Sequence, residues 1–520
     1  MNLNKKSNRN TLPVIIPHLP NLKVLNLANS INLVRTPDFG GLPCLERVTF
    51  TGCAMLTEIH PSIGYLERLI SLDMTACTSL EIFPPIIRMK KLETLILSDC
   101  DELHKFPEIQ TSMDSLKEFC LRETGIEVVP LSIGEYCTNL CSLDLRYCNQ
   151  LQSIEGNFHH LKDLKRLYVD HCDQLENMPK EGLFDVECCL QQLSLSSTFF
   201  DGVRRGSVNK LLGFPRFLTR LSLSSCGLVD GDNISVLFKE LSNLQVLDLS
   251  YNSFSRLHSD LSQLPRLKYL NLSCCINLVE LPDLPSSISV LLAEECRSLI
   301  IKEDFPTNQL KWLWKISLSE SNYIGKRVLQ LMLQTNAIED YFVSIRLDMA
   351  SVPISDCKLG IFTLLLPQNW YDQFSGFLVY MNDPRLIDRD EVEIIMKDVT
   401  GSAKENDVLE EYNGVEGFDS FRMCYIPFNL VRHSSRWNRE NTTISFSINN
   451  FWLNVKLVDK RSQSDDSIER AKGKTYRSEF WDEESWDQKT FEVIDDSRTS
   501  IKIRWCHDVS LQMSPRKRRL

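Results

Sequence analysis

The stretch Leu267–Pro282, LKYLNLSCCINLVELP, decides the fold. Its apolar positions are Leu267, Leu270, Leu272, Cys275, Leu278 and Leu281, and a proline closes it. Leu270 and Leu272 are two apart, the spacing that puts side chains on one face of a strand. The later apolar residues need a tight turn to return beneath that strand. A unit this small cannot bury its apolar face alone, so it requires copies of itself on either side.

The copies are there. Units open at Leu22, Leu45, Leu69, Leu92, Leu116, Leu140, Leu164, Leu190, Leu218, Leu244, Leu267 and Ile288. The spacing, about 21–28 residues, is that of a stacked solenoid. Second and third apolar positions follow in register, as at Leu95 and Leu97 or Leu143 and Leu145. Each unit is expected to add a short strand to a concave parallel sheet and an irregular or short helical return. Asp201–Pro215 and Gly227–Leu241 lengthen two units and read as surface loops.

Residues 1–20 are poorly patterned, and the solenoid is placed at 21–305. Residues 306–337 read as a helical connector, because Ile324, Val328, Leu331 and Met332 share a helical face. From 338 to 510 the apolar period becomes two, in runs such as KLGIFTLLLP and FWLNVKLV, which predicts a β-sandwich. Asn449–Asn450 separates two such runs and reads as a two-residue hairpin. Residues 511–520 form a basic tail.

Composition bounds the function. The 520 residues carry a net charge of −11, which offers no broad phosphate-neutralising field and argues against nucleic acid. No apolar run reaches the length of a membrane span. Eighteen cysteines suggest disulfides until their spacing is read. Cys53, Cys77, Cys100, Cys148, Cys172, Cys226, Cys275 and Cys296 fall at one repeat position, where a small buried thiol fits. That predicts reduced cysteines and an intracellular, cytoplasmic setting. Catalytic constellations are missing from the sequence: the nine histidines are scattered, and neither a metal-ligand spacing nor a cofactor motif occurs. The expectation is a protein that is not an enzyme, with no cofactor and no metal.

Several motifs resemble one family closely. They are NLVRTPDF at Asn32–Phe39, PSIG at Pro61–Gly64, LSIG at Leu131–Gly134, and the closures Phe83–Pro84, Phe106–Pro107, Met178–Pro179 and Leu281–Pro282. The recurring cysteine agrees with them. Together these resemble the leucine-rich repeats of plant TIR-type nucleotide-binding disease resistance proteins. The strand-rich tail, with YIPFNLVRHSSRWN and SEFWD, resembles that family's post-repeat jelly-roll or Ig-like domain. The implied fold is an α/β leucine-rich-repeat solenoid, a horseshoe with a concave parallel sheet, followed by an all-β sandwich. The implied function is recognition of a pathogen effector protein and regulation of defence signalling, with TIR and nucleotide-binding domains as partners in a full-length receptor. Neither of those domains is in this sequence, and Gly473–Lys474–Thr475 supplies only the end of a phosphate loop. The family's NAD-cleaving and nucleotide-switch activities are therefore not carried over. Leu22 begins the repeats almost without a cap, so the chain is expected to be the tail of a larger protein.

Strand residues between the core leucines are the binding candidates: Arg47, Asp73, Asp144, Arg146, Arg166, Tyr168, Asp170, Asp248 and Tyr269. Tyr and Arg are enriched in protein-binding hot spots. The competing reading of each is a solvated face with weak ion pairs. In the tail, Trp370, Tyr371 and Trp437 are candidates, with core packing as the alternative. Arg516, Lys517, Arg518 and Arg519 form a cluster that fits nuclear import or a solubilising tail. The alternative readings are a secreted or cell-surface repeat receptor and a substrate adaptor of a ubiquitin ligase.

Overall fold

In a computed structural model the described residues are 18–155, 158–175, 188–198, 214–230, 238, 241–257, 261–300, 315–318, 343–348, 358–366, 370–382, 389–396, 420–428, 443–459, 491–494 and 500–506. The chain divides into two units: Met1–Leu291 with Cys296–Ile300, and Leu292–Glu295 with Ile301–Leu520.

The first unit is a parallel-sheet solenoid. Its strands are three residues long, from Val24–Asn26 to Tyr269–Asn271. Neighbours pair in strict register, so the middle residues line up as Leu25, Val48, Leu72, Leu95, Phe119, Leu143, Leu167, Leu193, Leu221, Leu247 and Leu270. None of these is more than 2% exposed. Two residues on, Leu27, Phe50, Met74, Leu97, Leu121, Leu145, Val169, Leu195, Leu223, Leu249 and Leu272 are wholly buried. A strand this short has no stability of its own; the column of side chains shared between neighbours supplies it.

After each strand the chain turns inward through one left-handed residue. Asn29, Gly52, Ala76, Asp99, Glu123, Tyr147, His171, Ser197, Ser225, Tyr251, Cys274 and Glu295 have φ between 54° and 75°. Left-handed backbone is unfavourable for a side chain with a Cβ, by roughly 1–2 kcal/mol. A hydrogen bond to the next repeat offsets it: Ala76 N–H donates to Ser98 O at 2.8 Å and Tyr147 N–H to Asp170 O at 2.7 Å.

The residue that follows is the recurring cysteine. Its thiol donates to a carbonyl of the preceding repeat: Cys53 to Leu27 O at 3.2 Å, Cys148 to Leu121 O at 3.1 Å, Cys172 to Leu145 O at 3.2 Å and Cys296 to Leu272 O at 3.1 Å. Where the cysteine is replaced, another side-chain donor takes its place. Thr198 donates to Val169 O, and Asn252 donates to Leu223 O at 2.9 Å. Burial pushes these thiols up, Cys53 to about 11 and Cys148 to about 12.

The returns run mostly as turns and extended chain. A second parallel ladder links them, with bridges Arg35 to Glu58 to Ile82 to Lys105, then Val128–Val129 beside Ser153–Ile154. The PSIG and LSIG motifs form a 3-10 turn at Pro61–Tyr65 and a helical turn at Leu131–Tyr136. Their serines tie repeats together: Phe39 N–H donates to Ser62 Oγ at 2.8 Å and Ile109 N–H to Ser132 Oγ at 2.9 Å. A Cβ at Gly64 would lie 2.2 Å from Pro85 O, so only glycine fits. The motif is thus a stacking device.

The described strands of the second unit are mostly antiparallel. Thr443–Asp459 is its longest strand, and it pairs with Lys358–Leu365, Phe374–Asn382 and Arg389–Met396. The hairpin expected at Asn449–Asn450 does not form. Ile361 faces Ser447 while Leu359 faces Trp452, so the asparagines lie in a bulge of one continuous strand. Each half of the strand has its own antiparallel partners, which a hairpin would have displaced. Lys315–Leu318 is a strand parallel to Val343–Asp348, inside the segment expected to be a helical connector. The helical positions Ile324, Val328, Leu331 and Met332 lie outside the described residues, as do most of both lengthened units. In this unit Trp370, Phe377, Phe428 and Phe446 form a buried aromatic cluster, with centroids 4.8–5.0 Å apart for Phe377–Phe428, Phe377–Phe446 and Trp370–Phe428.

Candidate protein-recognition face

Side chains flanking the buried middle residue of each strand point away from the core, as alternation requires. On the strands Glu118–Cys120 through Arg220–Ser222 this face carries interlocked charged and aromatic groups.

Asp144 and Arg146 are its centre. Arg146 donates to Asp144 from Nη2 at 2.5 Å and from Nε at 2.9 and 3.1 Å. That bond, more than the burial opposing it, raises the already high pKa of the guanidinium. Its carbon lies 4.9 Å from the centre of the Tyr168 ring, a cation–π contact. The Tyr168 hydroxyl donates to Gln192 Oε1 at 2.7 Å, and burial pushes its pKa up. Arg166 reaches Ser142 Oγ at 3.4 Å and Glu118 at 3.8 Å.

A second column runs beside the first, made of left-handed residues. Tyr147 stacks on His171 with centroids 4.7 Å apart and planes 5° from parallel. Arg122 lies over the other side of this stack, 5.5 Å from the Tyr147 centroid, and donates to Glu123 Oε1 at 2.8 and 3.1 Å. The repeat pattern alone does not single out Arg122, Tyr147 and His171. Their common signal is position: they stand one or two residues before the recurring cysteine or its substitute.

Other candidates fall differently. Arg47 is exposed. Asp73 caps its own turn, accepting from Thr75 N–H at 3.0 Å and Thr75 Oγ1 at 2.7 Å. Asp248 accepts from Ser250 Oγ at 2.7 Å and Asn271 Nδ2 at 3.1 Å. Tyr269, expected to point outward, is 4% exposed. Asp170 also departs from expectation. It lies two residues past the Arg166–Tyr168 strand, 2% exposed, with the next repeat closed over it. Its Oδ1 accepts from Ser194 Oγ and from Ser196 N–H at 2.8 Å. Burial pushes its pKa up, opposed by those hydrogen bonds and then by Arg146 and His171. Trp370 is buried, and Tyr371 stacks on Phe428 at 5.7 Å. Trp437 and Arg516, Lys517, Arg518 and Arg519 lie outside the described residues.

One constellation imitates catalytic machinery. Ser62 Oγ is 2.8 Å and Asp38 Oδ1 3.7 Å from His60, but both approach the same nitrogen, Nδ1. A relay needs them on opposite ring nitrogens, so this is a helix-turn cap. Among the described residues no group of three His, Cys, Asp or Glu side chains is placed to hold a metal ion. No helix among them is long and apolar enough to cross a membrane.

Comparison with known proteins agrees with the stack. The family described as "Leucine rich repeat" matches residues 216–275. The TMV resistance protein N of Nicotiana glutinosa is 31% identical over 407 residues, 70% of this chain and 35% of that protein. Plant disease resistance proteins are thus what the repeat region is similar to. Two from Arabidopsis thaliana match shorter parts. The disease resistance-like protein DSC1 is 35% identical over 54% of this chain and 24% of its own length. The disease resistance protein RPP5 is 39% identical over 35% of this chain and 13% of its own length. The chain thus spans about a third or less of each of these plant disease resistance relatives.

Proposed function

We propose that this chain is the protein-recognition part of an intracellular plant immune receptor, and that it binds a pathogen effector protein through the outward face of its parallel sheet. The observation that carries this is the Asp144–Arg146–Tyr168 arrangement with the neighbouring Tyr147–His171 stack. Arg and Tyr held rigid by their own neighbours lose little entropy on binding and make the anchors typical of hot spots. Resemblance to disease resistance proteins supplies the biological class.

The reading extends to the second unit. Its antiparallel strands are taken to close as a β-sandwich, and the bulge in Thr443–Asp459 supports this, since strands turn sandwich corners at bulges. That unit shares the partner or couples binding to TIR and nucleotide-binding domains in the longer receptor. Free thiols throughout the described repeats favour a reducing, cytoplasmic compartment.

The test is capture of candidate effector proteins by the full chain and by a chain lacking residues 340–510. Retention by the full chain supports direct recognition, and comparison of the two assigns the contribution of each unit. Failure of both to retain any effector from a pathogen that the plant resists counts against it.

A further inference from the structure

On the sheet face one guanidinium stands near two carboxylates and pairs with only one of them, and one oxygen of the other is left over. Arg146 is taken up by Asp144 through both its Nε and Nη2. Asp170 stands at the position equivalent to Arg146, one repeat on. Their backbones are neighbours, since Tyr147 N–H donates to Asp170 O at 2.7 Å, and adjacent strands lie about 4.8 Å apart. Ser194 and Ser196 fill Asp170 Oδ1, but Oδ2 is buried and has no hydrogen-bond partner. A buried acceptor left unpaired is costly, and a buried carboxylate oxygen more so.

Arg146 and His171 both oppose the raised pKa of Asp170, but neither donates a hydrogen bond to Oδ2. Asp144, Arg146 and Tyr147 face it from the preceding repeat, Tyr168 and His171 from its own, and Ser194 and Ser196 from the following one. Beneath lie the Cys172 and Cys226 thiols, which stay protonated. The nearby Arg122 is bonded to Glu123, and Arg166 lies against Glu118. The outer end of the cluster is open to solvent: the Arg146 side chain is 24% exposed and that of Asp144 12%.

We infer that this cluster receives one basic side chain of a partner protein: the incoming lysine or arginine takes Asp144, and Arg146 turns to the vacant oxygen of Asp170. Two carboxylates and two cations are then each paired, where the free chain pairs only one. The inference rests on the reading of this face as a protein-recognition surface and adds the chemistry of the contact. Because burial raises the Asp170 pKa, acid fills the vacant oxygen with a proton and removes the reason for Arg146 to move.

The test uses the full chain with 13C-labelled aspartate and n-butylguanidinium chloride as the probe. n-Butanol is the uncharged control. The Asp144 and Asp170 carboxyl resonances are assigned by their loss in Asp144→Asn and Asp170→Asn. Saturable movement of both with n-butylguanidinium but not with n-butanol, weaker at pH 5 than at pH 7.5, is the expected result. Asp144→Asn is expected to lose the response at Asp170. A linear, unsaturable response in the unsubstituted chain, or an Asp170 response that survives Asp144→Asn, would overturn the inference. The first of these needs no variant to fold. Neither bears on capture of effector proteins, so the broader reading stands or falls separately.

Discussion

Tyr147 and His171 stack face to face, 4.7 Å apart, because each occupies the left-handed position of its repeat. The conformation that strains the backbone also lines these side chains up, one above the other, on the rim of the sheet. The stack predicts coupling. Single substitutions Tyr147→Ala and His171→Ala and the double variant should close a cycle with about 0.5–1 kcal/mol of interaction energy. Denaturant unfolding measures it, and strict additivity would show the rings to be mere neighbours.

The left-handed positions make opposite predictions at two sites. Gly52 has φ +75°, and a Cβ there would meet Asn29 Oδ1 at 2.6 Å, so Gly52→Ala should destabilise by about 1–2 kcal/mol. Ala76 has φ 59°. There Ala76→Gly relieves strain against a rise in unfolded-chain entropy, and the net change should lie within about 1 kcal/mol of zero. Thermal melting of both variants checks the contrast.

The thiol column ties stability to alkaline pH. Cys100 and Cys148 are each pushed up to about 12 by burial, from an ordinary 9.0. The folded chain keeps these protons while the unfolded chain loses them, so stability is intact below about pH 9 and falls as pH rises toward 12. Each such thiol contributes a slope of about 1.4 kcal/mol per pH unit in that window. Melting temperature should drop steeply between pH 9 and 11, and Cys148→Ala should flatten the drop while costing stability at pH 7.

Asp170 has the same sign through a different group. Burial raises its pKa, so ionising it costs the folded chain stability as pH rises above the ordinary carboxylate range near 4. Asp170→Asn keeps an oxygen for Ser194 and Ser196 and removes the charge. The variant should melt higher than the parent at pH 7, with the gap closing as pH falls. A lower melting point at pH 7 would mean the carboxylate is better compensated than its vacant oxygen implies.

The sequence carries the stack almost completely. Leu95, Leu143 and Leu270 line up on parallel strands because apolar spacing of two and a repeat length near 24 leave no other way to bury them. The thiol column is also legible, since only a small buried group suits a position filled so often by cysteine. The left-handed column is not: Ala76, Glu123, Tyr147 and Tyr251 have no common chemistry, and the conformation is imposed by hydrogen bonds to the next repeat. Asp170 misleads for a related reason. Its spacing from Arg166 and Tyr168 continues the strand's alternation, but the strand ends at Tyr168 and the following repeat covers the carboxylate. At Asn449–Asn450 local turn chemistry loses to long-range pairing, because both flanking runs already have antiparallel partners.

The central claim, that the outward sheet face holds a partner protein, is tested most directly by affinity for a captured effector. The full chain is compared with Arg146→Ala, Tyr168→Ala and, as a control, Lys162→Ala, which is exposed away from the strands. Loss of about 2 kcal/mol or more, some thirtyfold in Kd, is predicted for each of the first two variants, with no change for Lys162→Ala, each affinity being measured well below that variant's own melting temperature. Unchanged affinity in both face variants would contradict the account.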